Sequence, residues 1–503
     1  MIGVNAIPIR VETDVSTGLP YFDMVGCLAG EVKEARERVR TALRNAGFQL
    51  EPRKIVVNLS PADIRKSGTS YDLSIAASVL GAYGMMPRDA LQDTLIVGEL
   101  GLDGACRPIN GVLNIAMMAG KEGIRRLIVP AANAAEGAAA PDIAVYGVST
   151  LAEMVAYLRG QKTLSPAAAT VFSPETAADE AGVPDFADIH GQQMLKRCME
   201  IAVSGMHHMM MVGPPGSGKS MAARRLPSIM PMLTREESLE ITEIYSSAGL
   251  LPAYQGLVRR RPFRAPHHTA TDIALAGGGR IPKPGEVSLA HRGVLFLDEL
   301  TEFRSQAMET LRQPLESGRI LISRAAQVCE FPADFMLVAA INPCRCGFFP
   351  DPIRCSCTPL QIQRYLGRIS QPILDRIDMT VEVRPAADPT GHGGEEERSE
   401  QIRRRVEAAR ALQQIRYEGS PYLYNGQLND RDIESFCPLG EAETEFMRQA
   451  YRKFELSARA YYKVIKVART IADLDNDREI REPHLQEALF YKTLDRKYWG
   501  GLR

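Results

Sequence analysis

The chain has 503 residues, enough for about three domains at roughly 150 residues each. Its 45% hydrophobic and 24% charged residues suit an ordinary globular protein, and a formal net charge of -1 excludes nucleic-acid binding through bulk charge, leaving only local basic surface. No apolar run reaches the ~18 residues needed to cross a bilayer, and "MIGVNAIPIRVET" lacks the basic start and apolar core of a secretory signal. A reducing cytoplasm is therefore expected, where nine cysteines point to metal binding ahead of disulfides.

Over residues 1–165, short apolar runs ("KIVVNLS", "RRLIVP", "IAVYGV") alternate with helical patterns. Among the latter are "YDLSIAASVLGAYG" and "TLAEMVAYL", which opens on a Thr150–Glu153 capping box. Such alternation predicts a mixed α/β domain. Residues 166–188 are rich in Ala, Pro and acid and read as a linker; a second α/β block fills 189–385. A further break, "AADPTGHGGEEERSE", is a second linker at 386–400. The remainder, 401–503, is helical by its three- and four-residue apolar spacing, as in "QIRRRVEAARALQQI" and "ARAYYKVIKVARTIADL".

Within the second block, "HMMMVGPPGSGKSMAARRL" carries G-x-x-x-x-G-K-S between a predicted strand and a predicted helix. Gly213, Pro214, Pro215, Gly216, Ser217 and Gly218 form the loop whose backbone N–H groups wrap phosphates. Lys219 reaches the β/γ-phosphates and the Ser220 hydroxyl binds Mg²⁺, which makes ATP the expected ligand. An accidental Gly-rich turn is the alternative, and the flanking strand and helix argue against it.

Eighty residues on, "GVLFLDEL" is an apolar strand that delivers Asp298 and Glu299 at its C-terminal end. Asp298 suits Mg²⁺ and Glu299 suits polarising the attacking water. Alone, "LDEL" reads equally well as a helix cap after a strand; the phosphate loop decides between them. "FMLVAAINP" is a third apolar strand, ending in Asn342, an amide able to orient the water or simply to end a strand before a proline turn. Directly beyond it, Cys344, Cys346, Cys355 and Cys357 place four thiols on a short segment. That matches a tetrahedral S₄ site, with zinc the default; a disulfide pair or four free thiols remain the alternatives.

The ordered set "GPPGSGKS", "RPFRAPHH", "PKPGEVSLAHRGVLFLDEL", "AAINPC", "LDRID" and "SARAYYKVIKVARTIADL" resembles the AAA+ ATPases of the magnesium-chelatase group, of the ComM/YifB type. The resemblance implies a ring, a hexamer, with ATP between neighbours. In it Arg376 resembles the arginine finger and Arg459 the second sensor; for either, a simple ion pair with a nearby aspartate (Asp375 or Asp378 for Arg376) is the alternative. The first block resembles the Lon-type proteolytic domain. Ser70 falls at the nucleophile, but Ile115 stands where the lysine partner belongs, and Lys121 lies further along the predicted helix. A serine without a base is a weak nucleophile, so a non-proteolytic fold is expected, with Ser70 capping a helix that begins at Tyr71. The fold class that follows is α/β: a Lon-protease-like N-terminal domain, an AAA+ P-loop core and a C-terminal helical lid.

Two segments, "GGGRIPKPGE" with Arg280 and Lys283 and "ILISRAAQVCEF" with Arg324, resemble the pore hairpins of DNA-translocating relatives; solvated surface charges are the alternative. "RRRPFR" is the densest basic run, its role open. His267 and His268 are expected to point to opposite faces of a strand, which opposes shared ligation. The resemblance thus implies an ATP-driven motor acting on single-stranded and branched DNA in recombination. A chelatase-type or protein-remodelling ATPase is the second reading, disfavoured because the resemblance implies that chelatase motor subunits lack both the first block and the cysteine cluster.

Overall fold

The computed structural model describes residues 1–169, 172, 184–279, 282–324, 327–385 and 396–500, without the side chains of 88, 324 and 327. Arg280, the Arg324 side chain and most of both expected linkers therefore lie outside the described residues. The chain forms two compact units. One comprises 1–173, 235–259 and 325–329; the other comprises 174–234, 260–324 and 330–503.

The first unit holds two three-stranded sheets. In one, β3 (Lys54–Ser60) lies between β1 (Arg10–Ser16), antiparallel, and β2 (Tyr21–Val25), parallel. In the other, β4 (Thr94–Ile96), β5 (Arg126–Pro130) and β6 (Ala144–Val148) run parallel. Val57 and Leu59 alternate with half-buried neighbours on β3, the period-two signature of a strand with one covered face. The helices Gly30–Asn45, Asp72–Ala82 and Leu151–Leu158 cover the core with Val39, Leu43, Ile75, Val79 and Met154. Thr150 accepts the Glu153 N–H at 3.1 Å, but Glu153 returns its carboxylate to Ser149 N–H, one residue before the expected partner.

The expected Ser70 cap does not form. The helix starts at Asp72, with Tyr71 as its uncapped flanking residue. Backbone pairing sets this start instead: Gly98 N–H donates to Ser70 O and Leu73 N–H to Gly98 O. Asp72, fully buried, then takes two hydrogen bonds from Arg38 at 2.8 and 2.9 Å. Ile115 is buried in an apolar cluster with Val112 and Leu127. Lys121 is exposed; burial raises the Glu243 carboxyl, and the Lys121 charge opposes that rise.

Residues 235–259 interrupt the second block in sequence yet complete the first unit. Ser246, on the helix Arg235–Ala248, donates to the buried Glu136 carboxylate, and Gly111 N–H donates to Ser246 O. Leu257 joins the apolar cluster of Ile109 and Leu113.

The second unit is built on a five-stranded parallel sheet in the order β8 (Phe263–Arg264), β9 (Val294–Leu297), β10 (Met336–Ile341), β7 (Met209–Val212) and β11 (Met379–Glu382). Every residue of β7, β9 and β10 is buried, which is why these runs are continuously apolar. Phe186, inside the expected first linker, is fully buried in this core. Beyond the sheet come the helices Ser399–Arg416, Glu441–Lys453, Ala458–Leu474 and Glu482–Trp499. Lys463, on the third of these, meets Asp378 at 2.8 Å, both nearly buried. Burial works to raise the Asp378 carboxyl, but Lys463, with His207 and Lys466, outweighs it and holds the group well below the ordinary carboxylate range. This is a mixed α/β fold with a five-stranded parallel sheet and a C-terminal helical region. Among the described residues no helix is long and apolar enough to cross a membrane.

Candidate nucleotide site and cysteine cluster

The loop Gly213–Ser220 leaves the C-terminal end of β7 and enters a short helix at Lys219. Its shape demands glycine at particular places. A Cβ on Gly213 would lie 2.2 Å from Val383 O, and Gly218 adopts φ +88°, where side chains are strained. Lys219 is 8% exposed and its ammonium donates to Gly213 O at 2.7 Å and Pro214 O at 2.9 Å, with Asn342 Oδ1 at 3.3 Å. Burial lowers its pKa, while Asp298 and Glu299 act to raise it. The lysine is thus held beside the loop by neutral carbonyl partners, weaker acceptors than a charged oxygen.

Ser220 Oγ donates to Asp298 Oδ2, joining the loop to the end of β9. A hydroxyl and a carboxylate together at a sheet's ligand edge are hard oxygen donors that fit Mg²⁺. Glu299 sits in the left-handed region at φ +51°, a conformation costing about 1–3 kcal/mol, and its side chain is half exposed. The structure therefore brings together Lys219, Ser220, Asp298, Glu299 and Asn342, residues drawn from the ends of three adjacent strands.

His268 was not foreseen in this group. Its Nδ1 lies 3.5 Å from Glu299 Oε2, and its ring centroid is 4.1 Å from that of His267. The expectation that the two histidines face apart on a strand fails because β8 ends at Arg264. Among the described residues, the group of three or more metal-type side chains that converges is the four cysteines. Two arginines of the basic run serve the fold. Arg261 donates to Pro231 O at 2.7 Å and Arg292 O at 2.8 Å, and Arg264 grips Glu286 at 2.7 and 2.8 Å.

Arg376 stands apart from Lys219 in its contacts. It donates to Pro372 O at 2.9 Å and pairs with Glu316 at 2.7 Å, not with either neighbouring aspartate. No sequence signal marked Glu316, which lies 60 residues away. Arg459 is mostly exposed and reaches Asp375 only at 3.8 Å. Lys283 is exposed on a two-stranded ladder, Gly278 pairing with Lys283, and Arg324 ends one strand of the hairpin Arg319–Arg324 with Gln327–Pro332.

The four cysteines converge. Cys344 Sγ lies 3.3 Å from Cys346 Sγ and 3.7 Å from Cys355 Sγ, Cys346 and Cys355 are 3.6 Å apart, and all four sulfurs fall within 4.8 Å of one another. A disulfide requires about 2.05 Å, so this is four thiols around a common point.

Three family models match this chain. Residues 185–390 match "Magnesium chelatase, subunit ChlI", 11–133 match "Subunit ChlI of Mg-chelatase", and 396–492 match "Magnesium chelatase, subunit ChlI C-terminal". Competence protein ComM of Haemophilus influenzae is 42% identical over 499 residues, covering 98% of this chain and 96% of that protein. YifB of Escherichia coli is 41% identical over 500 residues with the same coverage. The magnesium-chelatase 67 kDa subunit of Chlorobaculum tepidum is 30% identical over 162 residues, 31% of this chain and 23% of that protein. Because a model described for a chelatase subunit matches residues 11–133, the presence of that block does not by itself argue against the chelatase reading.

Proposed function

The chain belongs to the magnesium-chelatase-like family of AAA+ ATPases that includes ComM and YifB, and from that premise we propose that it is an ATP-driven motor on DNA, promoting branch migration of recombination intermediates. The observation that carries the ATPase part is the convergence of Lys219, Ser220, Asp298 and Asn342 at one sheet edge. The likeness to a competence protein over nearly the whole of both chains supports the DNA part.

In this reading the Gly213–Ser220 backbone wraps the phosphates, and Lys219 moves from the Gly213 and Pro214 carbonyls onto the phosphate oxygens. Ser220 and Asp298 hold Mg²⁺, which supplies charge neutralisation on the phosphates. Glu299 accepts hydrogen bonding from the attacking water, and Asn342 orients it. Arg376 leaves Glu316 for the nucleotide of an adjacent subunit in a hexameric ring, and Arg459 serves as the lid's sensor. Lys283, Arg324 and Arg280 contribute one basic collar to the pore, where sixfold repetition makes sequence-tolerant phosphate contacts despite the near-neutral chain. The four cysteines hold Zn²⁺. The Lon-like block is non-proteolytic.

ATP turnover measured with no DNA, single-stranded DNA, duplex and a four-way junction, alongside a junction-migration assay, tests the proposal. Stimulation by branched DNA with junction movement is expected; unchanged turnover and no movement would refute the motor and leave the ATPase. A protein-remodelling or chelatase-type motor is the second reading, favoured by the three family-model descriptions. Turnover stimulated by a protein partner and indifferent to DNA would select it.

A further inference from the structure

The cysteine loop does more than close on itself. It starts two residues past Asn342, whose Oδ1 faces Lys219 Nζ, and its first thiol, Cys344, is fully buried. Gly347 turns the chain at φ +86° against the phosphate loop, so closely that a Cβ there would lie 2.3 Å from Pro215 Cδ. On another side Phe349 meets Tyr498 edge-on at 6.3 Å, and Tyr498 donates to Glu382 at the end of β11. The loop is thus wedged between the phosphate loop and the last helix of the same unit.

Little regular structure holds that wedge. Between the end of β10 at Ile341 and the helix Pro359–Leu366 no described residue is in a strand or helix. The sulfurs supply what the backbone does not. The three separations among Cys344, Cys346 and Cys355, 3.3–3.7 Å, lie just below about 3.8 Å, the edge of a tetrahedron with Zn–S bonds of about 2.3 Å, and Cys357 Sγ lies within 4.8 Å of each. Phe349 N–H points to Cys344 Sγ at 3.4 Å, a backbone donor of the kind that orients metal-bound thiolates.

We propose that a zinc ion in this tetrathiolate braces the phosphate loop through Gly347 and Pro215, so that metal occupancy sets nucleotide affinity. The inference rests on the nucleotide reading of Gly213–Ser220, but not on DNA as the cargo. Zinc takes no part in phosphoryl transfer; it fixes a wall of the pocket.

The test uses the full chain and equilibrium binding of a fluorescent ADP analogue with Mg²⁺, so that turnover is not the readout. Zinc is counted in the same samples. About one zinc per chain is expected. Chelation under reducing conditions should weaken ADP binding about tenfold or more, with added zinc restoring it. Cys357→Ser should lose both zinc and affinity, whereas Gly347→Ala should keep zinc and still lose affinity. Far-UV circular dichroism on each sample checks that the fold is retained. Protein that neither contains nor takes up zinc, or zinc-free protein that binds ADP unchanged, would overturn the brace alone. Zinc-loaded protein that binds no ADP would overturn the nucleotide reading as well.

Discussion

Each unit buries a lysine against backbone carbonyls, and the two lysines have different surroundings. Lys66 in the first unit is fully buried and donates to Pro61 O, while its own backbone pairs with Cys27 and Ala29. Lys219 in the second unit donates to Gly213 O and Pro214 O, but it lies within the field of Asp298 and Glu299 and beside Asn342. Burial and carbonyl caps are common to both. What separates them is the parallel sheet, whose strand ends deliver acids and an amide to the second lysine. In the proposed reading, phosphate chemistry belongs to the lysine around which such neighbours converge.

If Lys219 belongs to a pocket shared between subunits, the largest effect should come from a residue that does not touch it. Arg376→Ala should lower ATP turnover by about 10³–10⁵-fold, roughly 4–7 kcal/mol of barrier. Unchanged turnover, or full activity in an isolated subunit, would break the shared pocket.

A third lysine sharpens the contrast, because Lys463 is paired with an acid. Asp378→Asn leaves that ammonium buried and unpaired, and should cost about 3–5 kcal/mol in urea unfolding at neutral pH. The sign with pH follows from the depressed Asp378 value: its contribution is complete above the ordinary carboxylate range and is lost as pH falls through the lower folded-state range. Wild type should therefore lose stability on acidification more steeply than the variant, and parallel curves would remove the pair from the account.

Lys219→Met should reduce turnover by about 10²–10³-fold while leaving the melting temperature near that of wild type. Lys66→Ala should do the reverse, costing about 2–4 kcal/mol of stability through a lost donor and a cavity, with turnover per folded molecule preserved. If the two variants behaved alike, the distinction between the lysines would fail. The smallest effect belongs to Ser70→Ala, expected to alter neither turnover nor casein hydrolysis, which should be absent in both proteins. Casein cleavage that vanished with this change would make the first unit a protease.

The parts of the site that were legible in the sequence are those written in contiguous residues. The phosphate loop, the Asp298–Glu299 strand end and the cysteine cluster each carry their spacing within twenty residues, and buried parallel strands announce themselves as unbroken apolar runs. Contacts made across the chain left no such trace. Glu316 against Arg376, His268 against Glu299 and Lys463 against Asp378 depend on which strand lies beside which. Local rules misled at Ser70 and at the two histidines, as well as at Glu153 and Phe186. Ser70 has the chemistry of a helix cap, yet pairing with Gly98 sets that helix's start; His267 and His268 follow a strand that ends at Arg264, short of them.

Residues 235–259 have a consequence for how the protein is made. They leave the ribosome after the entire phosphate loop, yet Leu257 and the Ser246–Glu136 hydrogen bond belong to the earlier unit. The N-terminal part of the nascent chain therefore waits, its apolar face at Ile109 and Leu113 uncovered, while the start of the ATPase segment is translated. Cutting the gene between the two halves would strand that face permanently, and a fragment ending near residue 170 should aggregate unless residues 235–259 are supplied as a separate peptide.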